Sequence, residues 1–241
     1  MKKLKNWDNK TWLSSSAYIS SFNFFLLKKK KLNKNSKILD IGCGRGKIFG
    51  SLSRKLKLTN KPIGIDSVSH NDVDRSINFK NEDIFEFFKN NQDRFDLIMI
   101  KQTLHFFNIK KRSKLIKNCN KSLKKNGVLL IFSLNTLNNE IPCFKLMKQK
   151  LNRGLKRDSR MLKSVYKILK GNKIDKFKFK VLITKNKYTQ MLKQKYISCL
   201  VNLSKPQIIK GINEIKDIFP NKILFEDILI CIKYKHTKKV N

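Results

Sequence analysis

Residues 38–47 read ILDIGCGRGK. A short apolar run carries an acid, Asp40, and three glycines follow at every second position: Gly42, Gly44 and Gly46. Strand, glycine loop and helix start, in that order, form the arrangement with which open α/β sheets bind nucleotides.

Working outward, PIGID at 62–66 is a second apolar run ending in an acid, Asp66. INFKNEDIFEFF at 77–88 gives a weak strand, then Asp83, then a helical turn. A strong strand over 97–100 precedes a helix around 110–123, with LKKNG as its end and Gly127 as the residue past its terminus. VLLIFSL at 128–134 is the fifth strand. Strands alternating with helices at this interval predict a parallel sheet with right-handed crossovers. Upstream, Tyr18, Phe22 and Phe25 fall near helical spacing within 11–31 and predict an amphipathic helix. Downstream, 135–176 is Lys-rich and helical in tone, 177–184 reads as a strand and 187–200 as a helix. SKPQ at 204–207 is a capping box that opens a helix ending at Phe219, before Pro220, and 222–235 is a long last strand. No linker rich in Gly, Ser or Pro interrupts the chain. The expectation is one domain, 1–241, with an N-terminal helical lid over 8–31 and a basic helical insertion over about 138–176.

The 241 residues, 40% of them apolar, suffice for a sizeable core. No run of eighteen apolar residues exists, so no membrane insertion is expected. The start, MKKLKNWDNKTW, is basic but lacks the apolar stretch of a secretory signal. Five scattered cysteines and three histidines argue against a structural zinc site, and no metal is expected. Unpaired thiols fit a cytoplasmic location. The net charge of +38 invites a nucleic-acid reading, yet 47 of the 55 basic residues are Lys and only 8 are Arg. Phosphate recognition favours the bidentate fork of Arg, so a spread-out Lys and Asn excess is the mark of compositional drift.

The glycine spacing is G-x-G-x-G, not the G-x-G-x-x-G of a dinucleotide loop. Asp40, two residues before the first glycine, would sit poorly beside a pyrophosphate and suits a ligand with a positive amino group. Asp66 stands where a carboxylate accepts from both hydroxyls of a ribose. Asp83 can meet an adenine amine. A phosphate-free ligand with those three features is S-adenosylmethionine (SAM). The bland reading of Asp66 and Asp83 is a surface or capping carboxylate.

ILDIGCGRG, PIGID, NEDIFEF and FDLIMIKQTLHFF, followed by KKNGVLLIF, resemble the ordered motifs of class I SAM-dependent methyltransferases over about 37–134. The resemblance implies a Rossmann-like three-layer α/β sandwich whose seven-stranded, mostly parallel sheet ends in an antiparallel strand. It implies SAM as cofactor, held by Asp40, Gly42, Gly44, Gly46, Asp66, Ser67, Asp83, Ile84 and Lys101. It also places substrate selection in the N-terminal helix and the region after the fifth strand. YTQMLKQKYISCLVNLS resembles a segment of small-molecule methyltransferases, including those acting on carboxylic acids.

The fourth motif lacks the Asn- or Asp-Pro-Pro-aromatic signature of base-amine methylation, carrying Lys101-Gln102-Thr103-Leu104 instead. Pro142-Cys143 follows the fifth strand rather than the fourth, so it is not read as a cytosine-methylating nucleophile. Lys101 either snorkels to solvent or turns to an anionic substrate. His105 is either a general base or a packing residue beside Phe106 and Phe107. Tyr18, Tyr188 and Tyr196 are candidate substrate contacts, although an aromatic stripe at helical spacing is also what a core presents. Between 141 and 180 lie fourteen Lys or Arg against two Asp. The functional readings of that excess are an anionic small molecule, such as a carboxylate, first and RNA second; a solvated helix face is the bland one. An oxidoreductase and a non-catalytic SAM-binding module remain as other classes, and the sequence leaves the oligomeric state open.

Overall fold

The computed structural model describes residues 9–236, so the first residue of the expected 8–31 lid lies outside it. Seven strands form one sheet: β1 (Ile38–Ile41), β2 (Ile63–Asp66), β3 (Asn78–Asn81), β4 (Phe95–Lys101), β5 (Leu123–Leu134), β6 (Lys173–Thr184) and β7 (Lys222–Lys235). The order is β3-β2-β1-β4-β5-β7-β6, with β7 antiparallel to both neighbours and the other pairings parallel. This is the mostly parallel sheet, with an antiparallel last strand in sequence, that was expected. Among the described residues seven α-helices accompany it: α1 (Ser16–Lys29), α2 (Lys47–Leu56), α3 (Ile84–Asn90), α4 (Ile109–Lys121), α5 (Lys145–Ile168), α6 (Lys185–Lys193) and α7 (Lys205–Ile218).

Strand side chains alternate between faces, and a parallel sheet buries both. In β4, Leu97 and Met99 join one apolar layer, with α1, α2, α6 and α7, while Ile98 and Ile100 join the other, with α3 and α4. Tyr18 and Phe22 of α1 are fully buried, with Phe22 4.8 Å from both Phe132 and Phe177. The aromatic stripe is therefore core. Ser15 caps α1, and the Ser204/Gln207 capping box opens α7 as the sequence predicts.

Two readings need correction. Gly127 does not end a helix: α4 stops at Lys121 and Gly127 belongs to β5. Phe95 pairs with Leu123 and Leu97 with Val128, so residues 124–127 bulge from the ladder, with Asn126 taking the positive φ of 63°. The basic segment is also no simple excursion from the fold. Met147, Leu151 and Leu155 of α5 pack in one layer, and Met161, Leu162 and Val165 in the other. One helix thus crosses the end of the sheet from layer to layer. Glu214 of α7 accepts from Lys145 N–H at its start (2.9 Å), where a carboxylate is favoured. β6 begins at Lys173, four residues before its expected start.

Gly211 lets α7 meet the top of that crossing, because a Cβ there would lie 2.5 Å from ring carbons of Phe144. Gly211→Ala should destabilise by about 1–3 kcal/mol through overpacking, although Ala is the better helix former by roughly 1 kcal/mol. Urea unfolding measures it. A variant as stable as the parent would contradict this packing.

Candidate active site

From β1 the chain runs out to β2 and β3 on one side, then returns to β4 on the other. The loops after β1 and β4 therefore part at the carboxyl ends of the strands, where open α/β sheets hold ligands. At their root the loops touch: a Cβ on Gly42 would lie 2.1 Å from Thr103 Oγ1. A Cβ on Gly46 would lie 2.1 Å from Ile77 Cδ1. Both residues are small because the protein itself fills the space. Gly44 differs, with a φ of +55° and nothing within 4 Å of its Cβ position. Of the three, only Gly44 leaves open space where a side chain would project.

Above the loop lies a cavity of about 860 Å³, in the range of roughly 300–1,000 Å³ found for ligand sites. The sheet contributes Gly42, Asp66, Ser67, Asp83, Ile84 and Lys101 to its wall. Trp12, His105, Tyr196 and Asp227 add to it, and the middle of α5 closes the far side.

The three acids differ in state. Asp40 is 4% exposed and is not among the residues that line the cavity, and its buried Oδ1 has no hydrogen-bond partner. Burial pushes its carboxyl up to about 8, with Lys101 drawing it down and Asp66 pushing it further up. Asp66 is tightly held. Its Oδ2 accepts from Gly44 N–H and its Oδ1 from Val68 N–H, both at 2.9 Å, and His70 Nε2 lies 3.6 Å away. Burial opposes its ionisation, but His70 and the two amides outweigh that and hold the carboxyl below its usual range. Asp83 caps α3, its Oδ1 accepting from Phe85 N–H at 2.7 Å. The bland capping reading describes this oxygen, which is taken by the backbone.

Strand periodicity explains the charges beneath the cavity. Asp40 is in register with Met99, two residues before Lys101, and Lys101 is in register with Phe132, which faces Cys231. Asp227 lies four residues before Cys231 on the same strand phase, so all three charges share the α1 face of the sheet. Lys101 neither snorkels to bulk water nor stands apart from carboxylates. Its ammonium lies 5.6 Å from the ring centres of both Tyr18 and Phe22, and it lowers the pKa of both Asp40 and Asp227. Asp227 is 2% exposed; burial raises its pKa, while Trp12 Nε1–H, donating at 2.9 Å, and Lys101 oppose the shift.

The tyrosines divide. Tyr196 lines the cavity, its ring 5.4 Å from Trp12. Tyr188 lies behind it, its hydroxyl donating to Pro142 O and paired with Tyr196 Oη at 3.0 Å, and it does not reach the cavity. Tyr18 is likewise core, with a buried hydroxyl that lacks a partner. Two of the three expected substrate contacts are thus packing residues, because helical aromatic spacing records a buried face whatever that face covers. His105 does line the cavity, its Nε2 buried and unpartnered. Burial lowers its pKa first; Asp158 raises it, and Arg157 and Arg112 lower it. A neutral imidazole with a free nitrogen is the result.

Sequence reading missed His70 and Asp227, whereas Trp12 falls within the expected lid and α5 within the expected substrate-selecting region after the fifth strand. Asp227 left a signal. Residues 223, 225, 229 and 231 are the buried phase of β7, and Asp227 is the acid on that phase. His70 left none, since its contact with Asp66 depends on a loop.

A family model described as a methyltransferase domain matches residues 14–161. A carboxy-S-adenosyl-L-methionine synthase of Staphylococcus epidermidis is 33% identical over 107 residues, 42% of this chain and 46% of that protein. A phosphoethanolamine N-methyltransferase of Plasmodium falciparum is 34% identical over 126 residues, 47% of this chain and 46% of that protein. These matches therefore span about half the length of each relative. A plantazolicin methyltransferase solved with a monoazolic desmethylPZN analog and SAH shares the fold, with a TM-score of 0.53 at 15% identity, over 97% of this chain and 88% of that one.

Proposed function

The chain belongs to the methyltransferase domain family, and from that premise we propose that it transfers a methyl group from SAM to a small acceptor bearing an anionic group such as a carboxylate. The observation that carries the donor is Asp40. A buried carboxyl with an open oxygen is costly unless something cationic meets it. An amino acid ammonium at the root of the glycine loop meets that requirement, and Gly44 leaves room beside it.

Asp66 is fixed by two amides and His70, so its remaining lone pairs can accept from a ribose diol without reorganising, with Ser67 beside it. Asp83 keeps one oxygen for an adenine amine, and Ile84 offers an apolar surface. Lys101 favours the ionised forms of Asp40 and Asp227 against the burial that raises both carboxyls. When bound, SAM supplies an electrophilic methyl group on a cationic sulfur. The protein's part is positioning, which can lower such a barrier by roughly 7–11 kcal/mol. The upper cavity, between Trp12, Tyr196 and α5, is where these residues would hold the acceptor. His105, which lines the cavity and is unbonded at Nε2, would take the proton of the accepting group.

Two results are expected. Without ligand, Asp40 is mostly protonated below pH 8, and a cationic amino group favours its ionised form. Binding should therefore release up to one proton below pH 8, and affinity should climb from pH 6 to 8 and then level off. Calorimetry of S-adenosylhomocysteine binding in buffers of different ionisation heat reads this directly. The pH dependence should vanish in Asp40→Asn, and a flat profile in the parent protein would sink the role of Asp40.

For an acceptor found by labelled-methyl transfer, His105→Ala should lower kcat by about 100-fold or more if the imidazole is the base. Its depressed pKa places the acidic limb of the kcat profile below pH 6.5. An unchanged kcat in a folded variant would mean that the acceptor is methylated without a protein base.

A further inference from the structure

Helix α5 carries a glycine, Gly154, at the middle of its 24 residues, where glycine is a poor choice. A Cβ there would have nothing within 4 Å, so the protein's own packing does not demand it, in contrast to Gly211. Gly154 lines the cavity, and so do Lys150, Arg153 and Arg157, which occupy the same helix face at positions −4, −1 and +3 from it. Three of the chain's eight arginines fall within 153–160. In a chain that otherwise uses Lys almost six times as often, that concentration is not what compositional drift produces. Arg157 is tied to Asp158, with its Nη2 3.2 Å from Oδ1. Among the described residues, Lys150 and Arg153 pair with no carboxylate. The gap above Gly154 is thus a concave, cationic surface, and the rest of the cavity faces it with Tyr196, Ser198 and Asn202.

We infer that the α5 wall is an oxyanion subsite, in which Arg153, with Lys150 and Arg157, holds a carboxylate or phosphate-ester group of the acceptor over the space Gly154 leaves open. This deepens the proposed function and rests on its reading of the acceptor as anionic. The guanidinium fork of Arg153 suits two oxygens of one anion, and Lys150 adds a point charge from the next turn. The glycine supplies depth, since a side chain at 154 would stand between the cations. The acceptor's specificity is then set by the distance from this wall to the donor site at the glycine loop.

The test uses the full-length protein saturated with S-adenosylhomocysteine, and inorganic phosphate as the probe. Calorimetry should show phosphate binding at one site per chain. Arg153→Gln should weaken it about tenfold or more, while Arg160→Gln, on the same helix but outside the cavity wall, should leave it unchanged. Gly154→Leu should abolish phosphate binding while the melting temperature holds or rises by about 2 °C, because leucine is the better helix former. That rise separates a filled subsite from a damaged fold. Absent phosphate binding, or equal loss in Arg153→Gln and Arg160→Gln, overturns the subsite. So does a short RNA that binds far more tightly than phosphate and depends on Arg153, which would make the wall a nucleic-acid surface. S-adenosylhomocysteine failing to bind would instead count against the methyltransferase reading.

Discussion

The parallel pairing of β1 with β4 at the centre of the sheet governs the rest. It sets Asp40 opposite Met99 and so places a carboxylate two residues from Lys101 on a face buried by α1. It also marks the reversal of strand order, which opens the crevice above the glycine loop. A buried acid is tolerated there because Lys101 lies near and favours its ionised form. Asp227, within β7, shares the same lysine and is held by Trp12, which ties the N-terminal segment to the last strand. Fold, electrostatics and site thus rest on one register.

Most of the sheet was legible because a parallel strand buries both faces and reads as an unbroken apolar run. ILDI, FDLIMI and VLLIFSL have that form. β6 was harder: Lys176, Lys178 and Lys180 alternate with Phe177, Phe179 and Val181, and its first four residues are exposed, three of them charged, so its start was placed late. Gly127 misled because a glycine after a helical pattern usually ends it, and a ladder that resumes after a bulge leaves the same local trace. The donor side of the site was legible because it is local, made of loops that directly follow strands. The acceptor side was legible only as regions, with Tyr196 among its candidates, because it is assembled from Trp12, α5, Tyr196 and Asp227, far apart in the chain.

Charge illustrates the same limit. A count over 141–180 cannot tell a solvated face from a cavity wall. The structure divides them: α5 turns Leu151 and Leu155 inward and carries Lys150, Arg153 and Arg157 to the cavity, while Arg160 lies outside it. The tyrosines show the converse. Their spacing left substrate contact and core both open, and packing makes Tyr18 and Tyr188 part of the core. What distinguishes a ligand contact from a core residue is which side of the wall the ring ends on, and helical periodicity is blind to that.

The central claim is that the open oxygen of Asp40 waits for a cationic amino group beside a phosphate-free adenosyl ligand. A crystal structure of the protein with S-adenosylhomocysteine tests it most directly. The account predicts the ligand's amino group within hydrogen-bond distance of Asp40 Oδ1 and its ribose hydroxyls on Asp66. A ligand seated elsewhere, or one seated in the crevice with Asp40 still unpartnered, would contradict it.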